Sequence, residues 1–443
     1  MFKKRLIGLG FLIALLLVSC NVYAQYTVKG GTVTPLLAKA EPQNDIDIFL
    51  VYSTEGVEVS YTSSSTSHQW FRYKTKALEA EPVSAVQQGT TSIIRNPEEG
   101  YGYFVKESTG ITKYVWIIDY SKYKAELNTL RVEAIEGDCA QLRLNGEGVV
   151  EPMYYYTPRG SRSELTRSFE LIYNTQEINR SEQAISVVHK QQTDTITGKP
   201  FGLFIASPFA DTDFTLKGDL FARHFNVEQQ VVSDTYTATA LLVAVDTTYI
   251  DNGDGIKLLE DGFFSAPLMM RFTAWANEPV ANAFTWKIYN KNDSLQTPFI
   301  YRGVEAEHEF MREGTYGVEL QVLDRTGKCE YISSDIEIKI SEFYWDAPNV
   351  FSPEASPGIN DEFKIKYKSI TSFKGWIFNR WGNEIFYWTN PDLGWDGKKN
   401  GKYVAPGVYF YVLEATGSDG RTHKLKGSIS ILRSKTGRNE IIE

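Results

Sequence analysis

Side chains able to do chemistry are plentiful in this 443-residue chain, but they are not grouped. Its five histidines, His68, His189, His224, His308 and His423, stand singly along the sequence. None falls in an HExxH pattern, no GxSxG elbow presents a serine nucleophile, and no Gly-rich loop ends in the Lys-Ser/Thr of a phosphate cradle. A histidine without converging partners is expected to be a surface or turn residue, because a catalytic site needs several groups in one place. With 55 acidic residues, a carboxylate pair of the kind that hydrolyses glycosides is the one catalytic device the sequence could hide, since such pairs meet in space and not in sequence. The sequence therefore assigns no catalytic residue, no cofactor and no metal ligand, and the chain is expected not to be an enzyme.

Two further patterns point to weaker chemistry. Beyond the N-terminal segment only Cys139 and Cys329 remain. They fall in different expected domains and form no CxxC or Cys/His cluster, so two isolated thiols, or thiols buried as small hydrophobes, are expected. Asp251-Asn252-Gly253-Asp254-Gly255 looks like part of a calcium loop. Yet Ile250 stands where the EF-hand pattern needs its first carboxylate, and Asp261 where it needs its bidentate Glu. Asn-Gly and Asp-Gly are strong turn formers, so a polar turn at a domain boundary is the reading.

The elements that would position these groups are strands. Aromatics make up 14% of the chain, with 26 Tyr and 25 Phe, and no long helix-forming stretch follows the N-terminus. The fold class is all-β: tandem immunoglobulin-like sandwiches followed by a smaller β-sandwich. Residues 1–24 are a targeting segment, with Lys3, Lys4 and Arg5 before an apolar run from Leu6 to Val18 and Val22-Tyr23-Ala24 as a cleavage site. A second reading competes: Leu17-Val18-Ser19-Cys20 resembles a lipobox, in which Cys20 would be lipidated and tether the chain to a membrane. The net charge is −9, and the three cations of the targeting segment leave the rest at −12. That balance argues against nucleic acid as a partner, which needs a basic face. No second apolar stretch is long enough to span a bilayer.

Residues 25–121 show period-two alternation at Asp45-Ile46-Asp47-Ile48 and Val57-Glu58-Val59-Ser60-Tyr61, then a mid-domain Trp70 in Gln69-Trp70-Phe71-Arg72-Tyr73. Short strands, regular turns and a central Trp resemble an immunoglobulin-like domain. Residues 122–255 form a second β-rich unit with insertions, including a polar loop expected at Thr193 to Pro200. Residues 256–342 carry Trp286 on one strand and Gly314-Thr315-Tyr316-Gly317-Val318-Glu319-Leu320-Gln321-Val322 on another, with Tyr316, Val318, Leu320 and Val322 on one face. This stretch resembles a PKD domain, although Tyr289-Asn290-Lys291-Asn292-Asp293 replaces that family's usual loop. Residues 435–443 are charged and aperiodic and are expected to be a disordered tail.

Residues 345–434 are the most specific part. In order come Pro348-Asn349-Val350-Phe351-Ser352-Pro353, an Asn379-Arg380-Trp381-Gly382-Asn383 turn between apolar runs, Trp395-Asp396-Gly397, Gly407-Val408-Tyr409-Phe410-Tyr411-Val412, and an alternating strand around Lys426-Gly427. These motifs closely resemble the gliding-motility-associated C-terminal domain of Bacteroidetes, the type B sorting domain of type IX secretion. The family's acidic loop is largely replaced here by Glu354-Ala355-Ser356-Pro357-Gly358, with Gly358, Asn360 and Asp361 kept, so its turn is expected to stay and a cation-binding role is not expected. The resemblance implies an exported cell-surface or secreted protein, associated with the outer membrane, whose partner is the type IX machinery. Asn379, Arg380, Trp381, Gly382, Trp395, Asp396, Gly397, Gly407, Val408, Tyr409, Lys426 and Gly427 are the candidate sorting residues. Among them Arg380 and Lys426 are expected to touch the machinery, and Trp395 and Tyr409 to build the fold. The sandwiches are then binding, adhesion or spacer modules for an unknown surface protein or glycan. The alternatives are a surface hydrolase with its site between the first two domains, and an envelope lipoprotein anchored at Cys20. Asp194-Thr195-Ile196, Asp246-Thr247-Thr248 and Asp293-Ser294-Leu295 resemble the O-glycosylation signal of the same phylum, which places Thr195, Thr247 and Ser294 as acceptors on exposed loops.

Overall fold

The computed structural model describes residues 26–432, apart from 64–65, 109, 182–183, 251–257 and 354–357. The targeting segment with Cys20, the polar turn at 251–255, most of the substituted acidic loop and the tail at 435–443 lie outside the described residues. Alternating apolar and polar side chains make strands, and nearly all of them pair antiparallel into sheets that stack in twos. No helix among the described residues is long and apolar enough to cross a membrane.

In the first domain a four-stranded sheet (Tyr26–Gly30, Val57–Thr62, Thr91–Arg95, Val86–Gln88) faces a six-stranded one built around Ile46–Val51, Gly110–Asp119, Gly102–Glu107 and His68–Tyr73. Trp70 fills the space between them, as its place on a central strand predicts, and its indole N–H donates to Ser92 Oγ at 2.7 Å. Ile46–Val51 departs from expectation: it is buried on both faces, not one. Its second face packs, together with Phe104, Trp116 and Ile118, against Met153, Tyr155, Leu165, Ala222 and Phe225 of the second domain. A polar contact closes that junction. Glu41 is 6% exposed and accepts from Tyr155 Oη and Asn44, and it pairs with Lys39 at 2.6 Å.

The second domain pairs Glu126–Ile135, Asp138–Val149 and Leu203–Ala206 in one sheet. Its other sheet is dominated by a long hairpin, Ser168–Arg180 with Ile185–Thr197. Thr193 to Thr197, expected in a polar loop, lies inside that strand pair: the exposed hydroxyls face solvent while Ile196 points into the core. Val243–Tyr249, placed by sequence before the third unit, pairs with Leu268–Ala276, so it is an edge of the third domain's sheet. That sheet and a second one around Ala281–Asn290 and Gly314–Asp324 enclose Trp286 and the expected row Tyr316, Val318, Leu320 and Val322.

The two cysteines overturn the isolated-thiol reading. Cys139 and Cys329 form a disulfide, with Cα atoms 6.0 Å apart and a sequence separation of 190. It ties the second domain to the third. Sequence separation says nothing about spatial separation once two sandwiches dock, and these two dock closely. Leu241 packs into both cores, and Val280 of the third domain is fully buried in the core of the second. The Arg325 guanidinium grips the Asp211 carboxylate and also donates to the Ala238 carbonyl at 3.0 Å. The buried Asn277 amide donates to Phe209 O at 2.8 Å and Ala240 O at 2.9 Å. Four backbone and side-chain donors converge on the buried Asp324 carboxylate and fix the loop that carries Cys329.

Candidate functional site

The last domain is a five-stranded sheet in the order Val350–Phe351, Thr422–Ile431, Gly407–Gly417, Ile370–Phe378, Glu384–Trp388, with loops folded over one face. Alternation sorts its residues. Phe373, Ile377, Tyr409, Tyr411, Leu413, Ile429 and Ile431 point inward to meet Phe351, Phe363, Trp388 and Trp395. The large rings lie flat on the sheet because glycines leave room for them. A Cβ on Gly375 would sit 2.5 Å from the Trp388 ring, and one on Gly427 would sit 2.3 Å from Tyr411 Oη.

The candidate sorting residues divide along the same line. Trp395 is fully buried, donates its indole N–H to Lys398 O at 2.9 Å, and meets Tyr409 edge-on at 5.4 Å. Asp396 accepts the Lys398 N–H at 3.0 Å, and Gly397 takes a positive φ of 80° in the same turn, packed on Pro353. Tyr409 is buried and its hydroxyl donates to Ala405 O. Gly407, at φ 148°, starts the same strand. These residues build the module.

Asn379 to Asn383 form the hairpin expected from sequence. Asn379 Oδ1 accepts from the Trp381 N–H at 3.1 Å and the Asn383 N–H at 2.9 Å, and Gly382 supplies φ 81°. The side chain of Asn379 thus fixes the turn from inside. Outside it, Trp381 is 70% exposed and the Arg380 guanidinium lies 4.2 Å from its ring centroid. Val408 and Lys426 also face solvent.

Sequence reasoning missed the rest of that outer surface. Cross-strand register sets Lys426, Val412, Trp376 and Tyr387 in one row, and Ser428, Phe410 and Phe378 in the next. Val408 extends the patch opposite Ser430. The Trp376 and Tyr387 rings are 5.5 Å apart, and Tyr387, Phe410 and Val408 are 46%, 45% and 52% exposed. A signal was present: Val408-Tyr409-Phe410-Tyr411-Val412 and Trp376-Ile377-Phe378 have no polar face, which in a strand means burial on both sides or a docking surface.

Elsewhere the predicted groups scatter. His308 is buried on a strand, not at the surface; burial lowers its pKa, so the ring stays neutral, wedged between Phe299 and Phe310 and bonded to Tyr301 Oη at 2.7 Å. Ser294 sits on an exposed turn, whereas Thr195 and Thr247 are exposed positions within strands. Between the first two domains lies a cleft of about 530 Å³. It is floored by Phe71, Phe104 and Tyr114 and edged by Lys106, Arg159 and the single carboxylate Asp45. No group of three or more metal-ligating side chains occurs among the described residues.

Family comparison decides what the last domain is. Residues 345–431 match the model of the CHU_C type IX secretion signal domain. The C-terminal unit is a type IX secretion signal domain. Residues 131–233 match a fibronectin type III domain. The chain is a multidomain β protein that carries this secretion signal domain behind fibronectin- and immunoglobulin-like sandwiches. No curated protein matches it. Similar solved structures include the tetra-tandem repeat in the extending region of a large adhesion protein, at 11% identity over 92% of this chain and 98% of that one, with a TM-score of 0.20. Another is a Ca2+-stabilised adhesin that helps an Antarctic bacterium reach out and bind ice, at 10% identity over 92% and 100%, with a TM-score of 0.21. A third is the chicken CNTN1 FN1–FN3 fragment, at 9% identity over 64% and 94%, with a TM-score of 0.16.

Proposed function

We propose that this chain is a cargo of type IX secretion, delivered to the cell surface or the medium, whose three N-terminal sandwiches serve as non-catalytic binding and spacer modules. The observation that carries the reading is the secretion signal domain at residues 345–431. Its geometry supports an address role: a compact inner core leaves a rigid hairpin tip and one sheet face free to be recognised.

The cleft between the first two domains is the candidate ligand site for a surface protein or glycan. The half-buried rings of Phe71 and Tyr114 beside the cations Lys106 and Arg159 suit an apolar group next to an anionic one. A hydrolase there is the less supported reading, because the cleft is lined by one carboxylate where glycoside hydrolysis uses two.

Cell fractionation tests the proposal. In a strain with a working type IX system, the full chain is expected at the surface or in the medium, and a chain ending before Trp345 is expected in the periplasm. Equal export of both chains, or equal export from a strain lacking the system, rejects it. Mass spectrometry of the mature N-terminus separates this cargo from a lipoprotein, which would begin at a diacylglyceryl-modified Cys20.

A further inference from the structure

The outer face of the secretion signal domain is a made surface with no described cover. Six apolar side chains, Val408, Phe410, Val412, Trp376, Phe378 and Tyr387, form a continuous patch across three adjacent strands. Tyr387, Phe410 and Val408 are exposed and Trp376, Phe378 and Val412 partly so, and such a block on one sheet is unlike the scattered single hydrophobes of an ordinary surface. Its margins hold more cations than carboxylates, with Glu384 opposite Phe378 and Glu414 as the two acids. Lys426 lies beside Val412, Lys374 and Lys424 flank Glu414 at one end, and Arg380 stands on the hairpin just beyond Phe378 at the other. Lys424 is held by Glu414 at 2.7 Å, which leaves the margin with a surplus of positive charge.

We propose that this face is the docking surface by which the chain is recognised for export, and that its occupant is a protein of the secretion apparatus presenting an apolar patch ringed by carboxylates. The proposal rests on the type IX reading above. Charge complementarity selects the occupant. A second copy meeting face to face would bring two margins of the same surplus positive charge together, at a like-charge cost. A partner with an acidic rim gains at the same positions. The apolar block would be the dry centre of that interface and the charged margin its rim, the usual division in specific complexes.

The test uses the full chain in a strain with a working type IX system, with Val408→Asp/Phe410→Asp as one variant and Lys426→Glu as another. Thermal unfolding of each purified protein serves as the folding control. The double variant is expected to lose tenfold or more of its exported fraction to the periplasm. Lys426→Glu, a solvent-facing change that leaves the core untouched, is expected to lose several-fold. Wild-type export of both folded variants overturns the proposal. So does a concentration-dependent dimer that the double variant abolishes, which would give the face to a second copy. So does normal export with loss of cell retention, which would give it to surface attachment. The outcomes stay separate from those of the truncation: export unaffected by removing residues 345–443 removes the address itself, whereas export blocked by truncation but not by the face variants removes only this surface.

Discussion

The first and last domains each carry apolar side chains on both faces of a sheet, and they treat the second face differently. In the first domain Ile46, Ile48, Leu50, Trp116 and Ile118 leave the sandwich core and are covered at once by Met153, Tyr155, Leu165 and Phe225 of the next domain. In the last domain Trp376, Phe378, Phe410 and Val412 occupy the equivalent position, with Phe410 exposed and the other three partly exposed. The sequences of the two strands are alike in kind. What differs, among the described residues, is whether the chain supplies its own cover: the first face is structural, and the second is the one proposed above as a docking surface.

The sharpest way to break the comparison is to truncate one residue on each face. Trp116→Ala should cost about 3–5 kcal/mol, because it empties a fully enclosed site. Phe410→Ala should cost under about 1 kcal/mol, because solvent already reaches the ring. Denaturant unfolding followed by intrinsic fluorescence measures both. Equal losses would mean that the open face is not open.

The junction between the second and third domains extends the contrast, since it is covered and also covalently tied. Replacing Cys139 and Cys329 by Ser together should lower the stability of that pair by about 2–4 kcal/mol, with the large closed loop favouring the upper end. Calorimetry of oxidised protein and of the double variant reads the difference. The Arg325–Asp211 grip and the shared core should keep the two domains docked without the bond.

A smaller effect probes the polar part of the first junction. Burial alone raises the Glu41 pKa, but hydrogen bonds from Lys39, Tyr155 and Asn44 outweigh it and hold the carboxyl below its ordinary value. A carboxyl lowered on folding contributes stability that is fully present above its unfolded pKa of about 4.3 and is lost as pH falls through the folded value. Unfolding followed from pH 7 downward should therefore show a loss below about pH 4 that Glu41→Gln diminishes. An unchanged acid profile in that variant would leave the junction wholly apolar.

Strands were legible from sequence because alternation is a local property. The rows at Val57 to Tyr61 and Tyr316 to Val322 fall where period two puts them. What was not legible depends on neighbours that alternation does not encode. The Cys139–Cys329 bond needs two domains docked in one orientation. The allegiance of Val243–Tyr249 is decided by which edge is free to pair. The burial of His308 comes from the aromatic rings around it. In the last domain the fold-building places of Trp395 and Tyr409 were legible, but the exposure of Trp381 at the hairpin tip was not, because only packing shows which rings the core takes in.

The bond between Cys139 and Cys329 also fixes what moves together. Such a crosslink persists in oxidising compartments and not in a reducing cytosol. Once it has closed, the two middle domains travel as one body, and any passage taken by the folded, oxidised protein has to admit two docked sandwiches and not a thread of residues.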